Sequence, residues 1–395
     1  MPKLMAGAAK RIITPEMNLR LAGYGPIFRP GPWGHRVASG VHDDIFARCL
    51  ALGDGGKTVA FVVLDLVSLF QVDMETIRER VREKTGRGDL MVAVGTTHNH
   101  SAPDVIGAYG GVPKRYKRLI HERASDAVAE AVGNMAPARI GFATTRVEGI
   151  VKNNRDPEAG PLDEEAAVML VEAKGGDTLA VLVNFACHVD VLGKRNTLVT
   201  ADFPAYLRRD LERERGGTAI YFNGAQGDAY PRQTVEDHDD EKGLRTFEEA
   251  EAVGSAIAKA VLEALANVRL TADVTIDARV SYPEVAIENP RLRIAHLLRM
   301  IPRKLHKGRA RSEMWVVKIN DAQILTLPGQ FFCRLGLELK EQMKGTHKFL
   351  FGLTGDDLAY VLPPDEWDPT RKGEEEQLSL GINTWPAIKE QLPPL

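Results

Sequence analysis

The sequence predicts an α/β fold in one large domain, with a mixed or largely parallel sheet flanked by helices. Two observations lead to this prediction. Short apolar runs bounded by turn residues alternate with segments whose apolar residues recur at helical spacing, and such alternation places helices against a sheet. Hydrophobic residues make up 44% and charged residues 27% of the chain, as in ordinary globular proteins. With no repeat or low-complexity linker, residues 1–395 are expected to form a single domain.

Seven apolar runs of strand length predict the strands of the sheet. The short polar segment Asn320-Asp321-Ala322 falls between two of these runs and predicts a hairpin. In chain order the runs are Thr58–Leu66, Leu90–Val94, Thr178–Ala186, Thr218–Asn223, Trp315–Ile319, Gln323–Leu327 and Lys348–Leu353.

Three amphipathic segments predict helices. In the first, Met74, Ile77 and Val81 share one face and Gly86 ends the helix. The second has an apolar stripe between positions 120 and 131. The third has a capping box and then apolar residues at successive i, i+4 positions. The stripe of the second is Ile120, Ala124, Ala127, Val128 and Ala131, and the third contains Thr246, Glu249, Val253, Ile257, Val261 and Leu265.

Charge and cysteine content narrow the class of protein. A formal charge of −3 and a pI near 6.4 argue against nucleic acid as a partner. Cys49, Cys187 and Cys333 show no CxxC spacing, which suits a reducing compartment. No signal peptide is indicated near the N-terminus, and no apolar stretch approaches the roughly 20 residues of a membrane span. We therefore expect a cytoplasmic protein.

The segment Arg291–Arg311 carries eight Lys or Arg and no acid. A solvated helix face or a contact in a homo-oligomer explains such a segment. The alternative is a surface for an anionic substrate or for lipid headgroups.

Polar side chains follow the carboxyl ends of several predicted strands. In α/β sheets ligands bind outside these ends. Five separate segments deliver such groups, which predicts a functional site at this edge of the sheet. The residues are His98, His100, His188, Asn223, Asp228, Gln330, Asp356, Asp357 and Tyr360.

The three histidines predict a metal site. His98 and His100 are two positions apart in a segment expected to be extended, so both rings can meet one ion. With His188 they make three imidazole ligands, the number that catalytic zinc commonly takes from a protein. Another divalent metal is possible because imidazole suits several. The neighbouring Cys187 is expected to be a packed thiol.

Three further features near the strand ends have two interpretations each. Asp202 is expected either to cap a helix or to orient a ligating imidazole. The glycine-containing turn at 223–228 lets backbone approach a ligand, although a plain tight turn explains it as well. Asp65 is an acid in an apolar strand, so it needs a partner, and this makes it a candidate at the edge of the site.

At these residues the chain resembles the catalytic domain of the neutral/alkaline (non-lysosomal) ceramidases, in its short bacterial and archaeal form. The similarity runs over nearly the whole chain, and the histidine motif is its most specific part. The motifs are Thr97-His98-Asn99-His100-Ser101-Ala102-Pro103, Phe185–His188, Gly227-Asp228-Ala229-Tyr230-Pro231, Leu327-Pro328-Gly329-Gln330, Leu358-Ala359-Tyr360-Val361, Gly40-Val41-His42-Asp43-Asp44 and Ala22-Gly23-Tyr24-Gly25. The additional C-terminal immunoglobulin-like domain of the true ceramidases is not expected.

The resemblance implies a zinc amidase in which the metal activates water to attack the carbonyl of a linear amide. The substrate is expected to be a small or lipid-like molecule. The implied metal ligands are His98, His188, His100, Gln330 and Tyr360. The implied catalytic residues are His100, Tyr360, Asp228 and Tyr230. The implied substrate-binding residues are Asn223, Asp65 and Asp357.

Two residues depart from the family pattern. Gln330 stands where the family has a ligating glutamate, and Tyr230 stands where it has an active-site serine. A neutral amide binds a hard cation more weakly and cannot act as a base, and a tyrosine ring occupies space that a substrate hydroxyl needs. We therefore expect a substrate other than ceramide. The alternatives are a family member that binds a ligand without turnover, and a carbohydrate- or lipid-modifying enzyme on the same scaffold.

Overall fold

Strands and helices alternate along much of the chain. The computed structural model describes residues 3–16, 19–27, 34–371 and 373–395. In chain order the strands of these residues are β1 (Met5–Ile12), β2 (Gly40–Val41), β3 (Phe46–Gly53), β4 (Thr58–Leu64), β5 (Met91–Thr96), β6 (Ala136–Arg146), β7 (Val151–Asn153), β8 (Glu165–Ala173), β9 (Thr178–Phe185), β10 (Leu198–Val199), β11 (Thr218–Asn223), β12 (Ala229–Pro231), β13 (Ile276–Ser281), β14 (Glu284–Val285), β15 (Leu305–His306), β16 (Arg309–Arg311), β17 (Met314–Ile319), β18 (Ala322–Thr326), β19 (Gln330–Phe331), β20 (His347–Phe351) and β21 (Tyr360–Val361). The α-helices are α1 (Gln71–Thr85), α2 (Lys114–Gly133), α3 (Phe203–Arg215), α4 (Arg232–Glu236), α5 (Phe247–Leu265), α6 (Pro290–Leu297), α7 (Cys333–Gln342), α8 (Glu374–Leu378) and α9 (Thr384–Lys389).

The larger sheet is mixed and has the strand order β11-β9-β8-β6-β1-β3-β4-β5. Its β4–β5 and β9–β11 pairs are parallel, and its other pairs are antiparallel. Two four-stranded halves meet between β1 and β6, where the ladder of the described residues is short: it has the Met5–Pro137 and Ala6–Ala136 pairs, and Ala138 donates to the carbonyl of Leu4 (2.9 Å). The sheet is strongly curved. The evidence is that Arg48 of β3 donates to the carbonyl of Ala219 at the start of β11 (2.8 Å), although four strands separate β3 from β11 in the sheet.

The smaller sheet has the order β13-β17-β18-β20 and packs against the larger one. The core between them is rich in aromatic rings: Phe61 and Phe222 of the larger sheet each contact Phe351 of the smaller. Helices α1, α2, α3 and α5 cover the other face of the larger sheet, and α7 and α9 cover the other face of the smaller. The described chain is thus a single αββα domain.

Three strand–helix–strand units determine where the site lies. They are β4-α1-β5, β9-α3-β11 and β18-α7-β20, and the two strands of each unit pair in parallel. The carboxyl ends of the units meet: Gly352, just after β20, donates to the carbonyl of Asn223 at the end of β11 (2.8 Å), and Thr354 forms a bridge with Gly95 of β5. All of these ends therefore deliver their following loops to one place.

The predicted architecture is confirmed, and the sheet is the mixed alternative. Gly86 ends α1 in the left-handed conformation (φ 65°), and the Thr246 side chain accepts from the backbone N–H of Glu249 at the start of α5. The predicted hairpin joins β17 to β18, with Asn320 at φ 54°. Among the described residues, no helix combines the length and the apolar character required to cross a membrane.

Candidate metal centre

His98 and His100 lie in the loop that follows β5. This loop is not regularly extended, because His98 has a φ of 68°, in the left-handed region that residues with a side chain rarely adopt. The backbone N–H of His100 donates to the carbonyl of Val189 (3.1 Å), and Asn99 pairs with Val189 as in a parallel ladder. This pairing aligns the first two histidines with His188, which follows β9.

The three imidazole rings converge. Their centroids are 4.5 Å apart for His98 and His188, 4.8 Å for His98 and His100, and 5.6 Å for His100 and His188, with the rings nearly perpendicular. One ring nitrogen of each lies within 4.8 Å of the others, and all three side chains are buried. This group could hold a metal ion.

Backbone carbonyls orient two of the rings. Nδ1 of His98 lies 2.9 Å from the carbonyl oxygen of Val67, and Nδ1 of His188 lies 2.8 Å from that of Gln226. Because a carbonyl only accepts, each Nδ1 carries the hydrogen, which leaves a lone pair on Nε2. Outer hydrogen bonds of this kind fix the tautomer of metal-ligating histidines.

Burial keeps the three rings neutral. It lowers the pKa of His98 to about 4. Burial, followed by the neighbouring histidines, also lowers the pKa of His100 and of His188 well below the usual value. Neutral imidazole is the form that binds metal.

Asp190 lies behind His100. Its Oδ1 is 3.6 Å from Nδ1 of His100, while its Oδ2 accepts from Arg245 (3.0 Å) and from the hydroxyl of Tyr24. Tyr24 also contacts the His100 ring edge-on, with the centroids 5.6 Å apart. The carboxylate therefore has fixed partners on one side and faces the imidazole on the other.

The lone pairs at this centre conflict in the absence of a cation. Nε2 of His98 points its lone pair at Nε2 of His100, 3.1 Å away. If His100 carries its hydrogen on Nδ1, two lone pairs meet; if it carries the hydrogen on Nε2, the Nδ1 lone pair faces Asp190. Nε2 of His188 is buried without a hydrogen-bond partner among the described residues. A divalent cation on these nitrogens removes each conflict, so the residues fit a metal.

Gln330, Tyr360 and Tyr230 surround the histidines. Gln330 and Tyr360 are paired between β19 and β21, and both line a cavity with His98 and His100. Oε1 of Gln330 is buried and has no hydrogen-bond partner among the described residues. The Tyr230 ring stacks on His188 with centroids 3.8 Å apart, and its hydroxyl lies 3.1 Å from that of Tyr360.

Two cavities of different character meet at His100. The first contains His98, Gln330 and Tyr360 in its wall, and most of its other lining is apolar, including Ile27, Phe70, Ile106, Leu292, Leu358 and Leu380. Most residues that line the second are polar, and they include Tyr24, Asn154, Asp190, Tyr230, Arg371 and Glu375. The histidine cluster therefore lies between an apolar and a polar cavity.

Asp65 and Asn223, both predicted to bind substrate, have structural partners instead. Asp65 accepts from Arg208 (2.8 Å) and from the backbone N–H of Phe46 (2.8 Å), and it does not line either cavity. Asn223 donates to the carbonyl of Thr97 (3.0 Å) and accepts from the N–H of Cys187 (3.1 Å). Asn223 thus connects the two histidine loops, and its polar atoms are used in doing so.

Of the two other acids predicted for the site, Asp228 and Asp357, only Asp357 lines a cavity. Asp228 accepts from the N–H of Cys333 (2.6 Å) and the amide of Asn153 (2.7 Å), and burial raises its pKa to about 6. It lines neither cavity, so this geometry favours a structural role. Asp357 does line the apolar cavity, where it accepts from Ser68 (2.6 Å), and burial raises its pKa.

The hydrogen bonds of Asp202 decide between its two predicted roles, helix cap or partner of a ligating imidazole. Asp202 is the N-cap of α3, where it accepts from the N–H of Phe203, and burial raises its pKa to about 7. Its second oxygen accepts from the N–H of Leu192 at 3.2 Å. The capping interpretation is thus confirmed. Cys187 is a buried free thiol, as predicted.

Sequence reasoning missed Asp190, Arg245 and the carbonyl of Gln226. Asp190 carried a usable signal, since it stands two positions after His188 in an extended segment and so faces the same side. Arg245 follows a polar loop and carried no signal. A backbone carbonyl has no sequence signature at all.

Comparisons with known proteins identify the fold. No family model and no curated protein sequence matches the chain. Two solved structures do match: the neutral ceramidase from Pseudomonas aeruginosa, at 15% identity, and a ceramidase complexed with C2, at 16% identity. Both give a TM-score of 0.79 and cover 99% of this chain, with 73% and 74% of their own lengths aligned. The resemblance read from the sequence is confirmed at this level, and the chain has the fold of the neutral ceramidases.

Proposed function

We propose that this protein is a metal-dependent hydrolase of a linear amide or a related acyl bond, with zinc as the metal. The observation that carries the proposal is the convergence of three buried, neutral imidazoles, His98, His100 and His188. Three imidazoles suit catalytic zinc, which keeps a coordination position open. When bound, zinc supplies a Lewis acid that polarises a carbonyl and increases the acidity of water.

Protein groups around the histidines have separate tasks in this proposal. Asp190 and the Val67 and Gln226 carbonyls orient the rings. The hydroxyls of Tyr230 and Tyr360 lie where the two cavities meet, and hydroxyl donors in such a position stabilise the negative charge that develops on a carbonyl oxygen. Gln330, a neutral amide, can act as a weak ligand but cannot accept a proton as a base.

The two cavities suggest the class of substrate. The apolar cavity suits an acyl chain, because its lining consists mainly of aliphatic and aromatic side chains. The polar cavity, with Asn154, Arg371 and Glu375, suits a hydrophilic amine portion better than a second hydrocarbon chain. Together with the Tyr230 ring stacked on His188, this lining favours an acylated polar amine over ceramide.

The test is a survey of turnover with metal-loaded protein. The substrates are lauroyl amides of several amines and the corresponding esters. We expect hydrolysis that is abolished by a chelator and absent in His98→Ala/His188→Ala. The control is His347→Ala, at the opposite, amino-terminal end of β20. Hydrolysis that persists in the double variant contradicts the proposal.

A second candidate function is ligand binding without turnover, which the amide at Gln330 favours. In that case metal-loaded protein hydrolyses none of the compounds, while calorimetry still detects binding of the lauroyl amides. Chelator-sensitive turnover excludes this alternative.

A further inference from the structure

Helix α6 has an apolar face that the described residues do not cover. Ile294, Leu297 and Leu298 are 57%, 79% and 64% exposed, the highest values among the large exposed hydrophobic side chains of the described residues. They stand at i, i+3 and i+4 and so lie on one side of the helix. The opposite side, with Leu292 and Ala295, is buried. The helix is therefore apolar both toward the core and toward solvent.

Exposed cations belong to the same segment as this face. Of the eight basic residues between 291 and 311, only Arg303 is buried, and it pairs with Asp356. The other seven are exposed, and none has a carboxylate of a described residue within 4 Å. Arg291 donates to the side-chain oxygen of Gln377 and Arg309 to the carbonyl of Glu284. These seven are Arg291, Arg293, Arg299, Lys304, Lys307, Arg309 and Arg311.

The exposed face is continuous with the apolar cavity at the histidines. A groove lined by Ile294, Leu298 and Met300 runs beside α6. This groove and the apolar cavity share Ile27, Leu292 and Leu378 as lining residues. An amphiphile lying along α6 is thus adjacent to the cavity that His98 and His100 line.

We propose that residues 291–311 dock the protein onto an anionic lipid surface. An interfacial segment combines apolar side chains that enter the acyl region with cations that contact the headgroups, and this segment exposes both. The cations disfavour self-association, because a two-fold contact would oppose the same cations of both copies. The docking itself does not depend on the proposed hydrolase activity; only delivery of a substrate from the lipid to the cavity rests on it.

The test is vesicle co-sedimentation of the full chain without any substrate. One set of vesicles is pure phosphatidylcholine, and the other is an equimolar mixture with phosphatidylglycerol. We expect binding to the mixed vesicles that weakens as salt is added. Leu297→Ser/Leu298→Ser should lower the partition coefficient by roughly a hundredfold, since each leucine loses its burial in the acyl region. Arg293→Glu/Arg299→Glu should remove the preference for anionic vesicles.

The matched control is Ile12→Ser/Val280→Ser, which removes two apolar residues that are 50% and 37% exposed on other elements. It should bind as the wild type does, and circular dichroism should show that every variant is folded. Absence of binding to mixed vesicles at low salt overturns the proposal, as does equal binding by the leucine variant. Leucine-dependent self-association in ultracentrifugation, without vesicle binding, would instead assign the face to a contact between copies. Because no turnover is measured, failure here leaves the hydrolase proposal unaffected.

Discussion

His98 and His100 face each other through their Nε2 atoms, 3.1 Å apart. With the Nδ1 hydrogen of His98 held by Val67, either two lone pairs meet here, or His100 donates from Nε2 and turns its Nδ1 lone pair toward Asp190. A cation on the nitrogens removes both conflicts. We therefore expect protein purified without added metal or a histidine tag to contain about one zinc per chain. Elemental analysis measures this, beside His98→Ala/His188→Ala, which should contain none. A wild-type protein that takes up no metal, even after incubation with zinc, contradicts the metal centre.

Replacement of Asp190 tests how the His100 ring is held. Asp190→Asn removes the negative charge 3.6 Å from Nδ1 of His100 but preserves the size of the side chain. Metal affinity should fall by about 10–100-fold, as for other outer partners of ligating histidines. Competition with a chromophoric chelator measures the affinity. Asp277→Asn, at a half-exposed carboxylate that pairs with Lys57, serves as the control. An unchanged affinity in Asp190→Asn would show that the carboxylate does not act through His100.

Gln330→Glu should strengthen metal binding. The buried Oε1 of Gln330 has no hydrogen-bond partner among the described residues, and a carboxylate in its place brings a charge to the three neutral imidazoles. We expect metal affinity to rise by at least about tenfold. The metal-free variant should be less stable than the wild type, because its buried carboxylate lacks a cation. Chelator competition and thermal unfolding measure the two effects, with the exposed Gln342→Glu as control; an affinity equal to that of the wild type would place residue 330 away from the ion.

Asp202 should make stability depend on pH. Burial raises its pKa in the folded chain to about 7, from an ordinary value of 3.8. The unfolded chain therefore releases this proton first, and stability decreases as pH rises from about 4 to about 7, by about 4 kcal/mol in total. Asp202→Asn cannot ionise and keeps the capping oxygen. Its NH2 group cannot accept from the N–H of Leu192, so the variant should be less stable than the wild type near pH 4. In urea unfolding the difference should change in favour of the variant by about 4 kcal/mol between pH 4 and pH 8; a constant difference across this range would contradict the raised pKa.

Asp65 should matter for stability but not for the site. Its partner Arg208 is buried, so Asp65→Ala leaves a buried cation unpaired and should cost about 3–5 kcal/mol. Metal content of the folded variant should equal that of the wild type. Urea unfolding measures the stability and elemental analysis the metal content. A variant that is fully folded but has lost its metal would show that Asp65 contributes to the metal site.

The sequence predicted the elements with strong local patterns. Helices α1, α2 and α5 have clear apolar stripes, and the strands of the parallel pairs are continuous apolar runs. The antiparallel strands β1, β3, β6 and β8 were not predicted, although they make up half of the larger sheet. Strand β1 reads Met-Ala-Gly-Ala-Ala-Lys-Arg-Ile, and its alanines and glycine carry no strand preference of their own. Such a strand forms because its neighbours bury it.

In the site, too, features set by neighbouring residues in the sequence were predicted, and features set by distant residues were not. The histidines were predicted because ligand type and position after a strand are local properties. The left-handed backbone of His98 could not be predicted, since the residues around it impose that conformation and a histidine does not favour it. The roles of Asp65 and Asn223 depended on partners distant in sequence, Arg208 and Thr97, and so became clear only from the folded chain.

The narrow junction between β1 and β6 has a consequence for the lifetime of the native state. His98 and His100 belong to the half of the sheet that ends at β5, and His188 belongs to the half that contains β9. An ion shared by the three histidines is therefore a reversible cross-link between two halves whose described strands share a short β1–β6 ladder of two residue pairs. Separation of the halves requires either the bond to His188 or the bonds to His98 and His100 to break, so bound metal should slow unfolding, and the centre would lengthen the lifetime of the fold as well as provide a place for chemistry.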